Sequence, residues 1–273
     1  MKTLNLKSDI VFKSFMLSNA TNPFKAKLIN LITGIPIEDL ENATYTSQEL
    51  RSSQMHEKVF KTDIIVTIDS HIISIEMNKS IYDELKVRNS LYGFSIASSE
   101  LERGDSYLNY KKLIQINLDI SNNFKEPISE FKMYDIRTKE LENDLIISYH
   151  VDLSRIIQYN DNNMKLFQIF GDNIDNLKGI DKDMDDAINE LERISNDEHI
   201  IGLYDAEKVE RKMRNTELMC ARNEGIQEGI EEGKKETLIA SIKRMKAKGL
   251  DDNAICELLD LNLDKLKKLL ENQ

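Results

Sequence analysis

Apolar residues follow two different periods along this chain. Between residues 61 and 79 they alternate with polar ones, in the runs KTDIIVTI and HIISIEMNK; beyond about Ile156 they recur every three to four residues. The two short runs predict the arms of a β-hairpin. A two-residue turn at Asp69-Ser70 sets Ile68 against His71 and fixes the register of everything behind it. Ile64, Val66, Ile68, Ile73, Ile75 and Met77 then share one face, and Lys61, Asp63, Ser74, Glu76 and Asn78 share the other. Asp63 lies directly opposite Glu76, and Lys61 opposite Asn78.

The rest of the N-terminal half reads as helices around strands. Ser8 caps a first helix to about Leu17. Thr21-Asn22-Pro23 opens a second, with Gly34 just past its end. A first strand falls near Ala43 to Leu50, a helix spans about Asp83 to Arg103 after the hairpin, and strands follow at Leu113 to Ile120, Phe131 to Ile136 and Leu145 to Leu153. The pattern is that of an α/β fold with a mixed central sheet flanked by helices. The expected organisation is a core over 1–155, a helical extension over 156–221, a Gly/Glu-repeat linker helix over 222–236 and a small helical module over 237–273.

Two carboxylates facing each other across a hairpin repel unless a cation relieves them. Oxygen ligands in such a pair suit Mg²⁺, with Mn²⁺ as a substitute, so Asp63 and Glu76 form a candidate metal site. The competing reading is a pair of ordinary surface acids on a solvated sheet face.

The acid at Asp63, followed after a short turn by Glu76-Met77-Asn78, resembles the signature of PD-(D/E)XK nucleases. Four further stretches narrow the resemblance: SDIVFKSFM (Ser8 to Met16), the Arg88 and Tyr92 pair, RGDSYLNYKKLIQINL (Arg103 to Leu118) and the tail EGIQEGIEEGKKE. In that order they resemble the Rpn family of recombination-promoting nucleases and transposases. The resemblance implies a restriction-endonuclease-like core and metal-dependent DNA endonuclease activity linked to recombination or mobile elements. It also implies that Asp63, Glu76 and the backbone carbonyl of Met77 are the metal ligands. Asn78 departs from it, because the superfamily usually carries Lys there and this family commonly Gln. An asparagine amide cannot act as a general base; it can only orient water or phosphate. Lys61, across the hairpin, is the candidate to supply the missing charge, whereas Lys79 points to the opposite face. A non-cleaving DNA-binding descendant and an interaction protein with a helical tail stand as alternatives.

Arg88 and Tyr92, four apart on one helix face, are candidates for a DNA-backbone contact, with an ordinary structural stack as the alternative. Asp9 and Lys13 have the same spacing and read as helix capping and surface pairing. DKDMDDAINELE lacks the glycine that a calcium loop needs at its sixth position, and reads as an acidic helix start.

Charge refines the picture. The net charge of -11 looks unsuited to a nucleic-acid partner until it is divided along the chain. Residues 1–120 carry 14 Lys/Arg against 15 Asp/Glu, residues 121–205 carry 9 against 19, and residues 206–273 carry 14 against 14. The acidity is concentrated in the middle, which leaves room for local phosphate contacts elsewhere. No run is apolar enough for a membrane span, and the opening MKTLNLKSDIVF has no secretory apolar region. Two distant cysteines, Cys220 and Cys256, make no disulfide framework, and four scattered histidines show no zinc spacing. The expectation is a cytoplasmic protein.

In the tail, Gly225, Gly229 and Gly233 each follow a glutamate. Glycine weakens a helix by about 0.8–1.0 kcal/mol relative to Ala, so the stripe reads first as a linker and second as a self-association face of a homodimer. Beyond it, residues 238–272 resemble a small helix-turn-helix end, with Lys265, Lys267 and Lys268 on its last helix; a protein-binding or dimerising module is the alternative.

Overall fold

The computed structural model describes residues 3–47, 49–50, 60–79, 84–99, 106, 110–159, 161 and 164–271; the side chains of 49, 50, 60 and 61 lie outside that description. The chain divides into two compact units, Met1–Asp205 and Ala206–Gln273.

In the first unit, α1 (Asp9–Leu17), α2 (Asn22–Thr33) and α3 (Ile37–Leu40) precede the strands. α2 carries Pro23 in its first turn and is capped by Gly34, at φ 76°, whose N–H reaches the carbonyl of Asn30. The strands are β1 (Thr44–Thr46), β2 (Glu49–Leu50), β3 (Phe60–Lys61), β4 (Ile64–Thr67), β5 (His71–Asn78), β6 (Lys112–Asp119), β7 (Ile128–Tyr134) and β8 (Leu141–Asp152), with α4 (Glu84–Ser99) between β5 and β6. Six of them make one sheet in the order β1-β4-β5-β6-β8-β7, in which β5, β6 and β8 run parallel and the other pairings are antiparallel. This mixed sheet with flanking helices is the restriction-endonuclease-like α/β fold that the pattern predicts.

The hairpin register is the expected one. Ile64 pairs with Ile75, Val66 with Ile73, and the N–H of Ile68 reaches the carbonyl of His71 across the Asp69-Ser70 turn. Its apolar face (Ile64, Val66, Ile68, Ile73, Ile75 and Met77) lies in the main core with Ile114, Ile116, Leu118 and Val151. The opposite face is not solvated. Ile65, Ile72 and Leu113 form a second small core there with Ile96 of α4. A parallel strand is reached by a crossover, and the crossover helix covers the face it crosses.

The backbone pairing of Lys61 differs from the extrapolated register, and its side chain lies outside the described residues. Lys61 pairs with Glu49 in a separate two-stranded sheet, and the β4–β5 ladder starts only at Ile64. The next ladder bond would use the N–H of Met77, which instead donates to Asp63 Oδ2 at 2.8 Å. A side chain has taken the place of the ladder and released the preceding strand.

The boundary near 155 also moves. α5 (Leu153–Ile156), two 3₁₀ segments and α6 (Lys182–Ser195) belong to the main core through Ile156, Phe167, Phe170, Met184, Ile188 and Leu191. α6 carries its apolar residues at helical spacing and packs them against α1 and α2. The expected end of α4 at Arg103, and most of the stretch from Arg103 to Tyr110, lie outside the described residues.

The second unit consists of the later part of α7 (Glu198–Ala247), α8 (Asp252–Leu259) and α9 (Leu263–Glu271). α7 is helical through all three glycines of the repeat, where the sequence pattern reads as a linker. Gly249 ends α7 at φ 86°, Asp251 caps α8, and Ile242, Ile255, Cys256 and Leu266 form a small core. Among the described residues no helix is long and apolar enough to cross a membrane.

Candidate metal centre

The layer of the sheet beneath α4 changes character along the three parallel strands. Its first rung is apolar, Ile72–Leu113–Ile146. The next is neutral and polar, Ser74–Gln115–Ser148; then come Glu76–Asn117–His150 and, at the carboxyl ends, Asn78–Asp119–Asp152. Carboxyl ends of strands are where open α/β sheets place their ligands.

Asp63 and Glu76 meet at the edge of this layer. Asp63 Oδ2 holds the N–H of Met77, the residue next to Glu76, at 2.8 Å. Glu76 is 3% exposed, and its Oε1 is buried with no hydrogen-bond partner among the described residues. Burial first, and then the charge of Asp63, push its carboxyl up to about 8, against opposing pulls from Arg88 and Lys13. Burial raises Asp63 as well, and the Met77 N–H and Lys13 work against it.

A cation already reaches this pair from α1. Lys13 Nζ lies 3.4 Å from Asp63 Oδ1 and 3.3 Å from Asp9 Oδ2. Burial lowers the Lys13 pKa, but the charges of Asp63 and Asp9 outweigh it and hold the ammonium above its ordinary value. The sequence pattern alone assigns Asp9 and Lys13 to surface pairing. Their i,i+4 spacing carries no sign that the helix lies over the hairpin, and only packing reveals it.

Asn78 is occupied on both sides. Its Nδ2 donates to Asp119 Oδ1 at 2.8 Å, and its Oδ1 accepts from Arg88 Nη2 at 2.7 Å, which fixes the orientation of the amide. Asp119, buried, also accepts from Asn122 Nδ2 and pairs with His150 Nδ1, both at 2.9 Å. The His150 ring packs beside Phe124 and Phe131. Arg88 in turn reaches Asn89 Oδ1 and lies 5.3 Å from the centre of the Tyr92 ring. One chain of polar contacts thus runs from Tyr92 through Arg88, Asn78 and Asp119 to His150. Asp119 and His150 carry no motif spacing in the sequence; the parallel pairing of β5, β6 and β8 gathers them.

The donor set fits a hard divalent cation. Two carboxylates converge, one with an unmatched buried oxygen, and the Met77 carbonyl points to the same side of its strand as the N–H that Asp63 holds. Among the described residues no three His, Cys, Asp or Glu side chains gather to hold a metal, so the third protein ligand would be that carbonyl.

The mixed sheet with flanking helices, with the half-buried Asp63 beside the buried Glu76 at the edge of its polar layer, is consistent with a restriction-endonuclease-like α/β fold. The family model described as PD-(D/E)XK nuclease family transposase matches residues 6–221, and the chain belongs to that family. No curated protein matches it.

Proposed function

We propose that the protein is a divalent-metal-dependent DNA endonuclease linked to recombination or mobile elements, working in the cytoplasm. The observation that carries this reading is the Asp63–Glu76 pair with the unpartnered, buried Oε1 of Glu76. Leaving such an oxygen unmatched costs folding free energy that a structural role would not repay. Asp63, Glu76 and the Met77 carbonyl would hold Mg²⁺ or Mn²⁺, which supplies an activated water and neutralises the anionic phosphorus centre.

The chain's own residues supply the rest. Lys13 brings a positive charge to the acid pair, the contribution a motif lysine makes elsewhere in the superfamily. Arg88, seated on Tyr92, is the phosphate-backbone contact. Asn78 holds Arg88 rather than moving a proton, since both ends of its amide are engaged. Purified protein with Mg²⁺ or Mn²⁺ should cut double-stranded DNA, and Asp63→Ala or Glu76→Ala should abolish cutting while the domain stays folded. Cleavage that persists in both variants would overturn the assignment.

Asn78 favours a second reading, a non-cleaving DNA-binding descendant. That reading prevails if DNA binding is retained and lost in Arg88→Ala, yet no cutting occurs with either metal.

A further inference from the structure

The stretch of α7 between Ala206 and Thr237 is largely solvent-exposed, yet it carries large apolar side chains: Val209, Met213, Leu218, Met219, Ile226 and Ile230. Steps of 3.5 residues from Val209 land on Met213, Thr216, the Met219-Cys220 pair, Asn223, Ile226 and Ile230. That repeat keeps a seam facing a partner helix. The seam is about 33 Å long at 1.5 Å per residue.

Its charge is polarised. Residues 206–222 hold five Lys/Arg against three Glu, and residues 223–237 hold two Lys against five Glu. Side by side in parallel, two such helices would set basic half on basic half and acidic on acidic. Antiparallel, opposite halves meet.

We infer that residues 209–230 of α7 form the seam of an antiparallel interface between two copies of this chain. The register follows from matching apolar to apolar: Val209 faces Ile230, Met213 faces Ile226, Thr216 faces Asn223, and Met219 faces Cys220 at the two-fold axis. The residues flanking the seam agree with it. Lys208 comes opposite Glu231, Glu217 opposite Arg222, Leu218 opposite Ala221, Lys212 opposite Gln227 and Asn215 opposite Glu224, with no like charges among them. Gly225 and Gly229 fall opposite Arg214 and Glu210, beside Ile226 and Ile230. A Cβ at either glycine meets nothing in its own chain within 4 Å, so no crowding within the chain calls for glycine there. The interface is independent of cleavage, because Asp63 and Glu76 lie in the other unit.

The test uses the full chain without metal or DNA, and sedimentation equilibrium across a dilution series. The wild type should reach twice the monomer mass as concentration rises. Met213→Lys and Ile226→Glu, both at exposed positions, should each weaken association about tenfold or more. Far-UV circular dichroism checks that each remains helical. The double variant should recover dimerisation, since the introduced lysine of one copy meets the introduced glutamate of the other only if the helices run antiparallel. A wild type that stays monomeric at every concentration, or a double variant no better than the single ones, overturns the inference.

Discussion

The two faces of the central sheet use the same strands to opposite ends. Toward α1, α2 and α6, β4 and β5 present Ile64, Val66, Ile73 and Ile75, which join the main core; the polar groups on this side lie at its edge, where Tyr45 pairs with Val66 beneath the buried Lys25. Toward α4 the same strands begin with Ile65 and Ile72 and then present Ser74, Glu76 and Asn78, all buried. Ser74 Oγ, Glu76 Oε1 and Asn117 Oδ1 of that second face have no hydrogen-bond partner among the described residues. An apolar layer built there would be more stable, because an unmatched buried polar atom costs about 1–3 kcal/mol. Local violations of this kind collect where function demands them.

The comparison can be broken most sharply with one substitution on each face. Glu76→Ala should lower metal-dependent cleavage by about a thousandfold or more, the scale of losing metal-assisted activation of water, while leaving resistance to urea unchanged or improved. Ile73→Ala, on the other face of the same strand, should cost about 2–5 kcal/mol of stability and leave the chemistry of the folded fraction intact. If Glu76→Ala destabilises as much as Ile73→Ala does, the polar face is structural and the contrast collapses.

Lys13→Met should slow cleavage by about a hundredfold, a typical loss for one stabilising group, with little change in metal affinity. An unchanged rate across a metal titration would remove Lys13 from the site. Arg88→Ala should weaken DNA binding and flatten its salt dependence, because a phosphate contact is lost. Asn78→Ala should reproduce part of that loss through the freed Arg88. If Asn78→Ala weakens DNA binding as little as a distant surface change does, Asn78 does not position Arg88.

A pH series sharpens the same contrast. The Glu76 carboxyl has an ordinary value of 4.5 and is pushed up to about 8 in the folded chain, so between those values the folded state keeps a proton that the unfolded state has lost. Stability of the metal-free protein therefore falls as pH rises from about 4.5 toward 8. Divalent metal, which needs the ionised acid, should bind more tightly over the same range and offset the fall. Thermal melts with and without Mg²⁺ measure both, and the slope should become shallower in Glu76→Gln, where Asp63, also raised by burial, still contributes. A metal-free melting temperature that climbs across this window would contradict the buried-acid account.

The smallest effect belongs to the second unit. Among the described residues the main core uses none beyond Tyr204, so a chain ending at Arg222 should lose less than about 1 kcal/mol of unfolding free energy from the first unit. A large loss, read by urea denaturation, would show that the two units fold as one.

The sequence by itself determined the hairpin, its turn and its register, because period-2 patterning tolerates no one-residue slip when a face is buried. It also set the second helix between Pro23 and Gly34, and placed Arg88 and Tyr92 on one helix face, since those are matters of local geometry. Tertiary structure decided the rest of the site. Lys13 reaches Asp63 only because α1 packs over the hairpin, and Asn78 grips Arg88 and Asp119 only because α4 covers strands paired in parallel. Lys61 leaves the hairpin because an Asp63 carboxylate takes the Met77 N–H that would have continued the ladder. Each outcome joins residues distant in the chain or sets a side chain against a backbone bond, and packing settles such competitions.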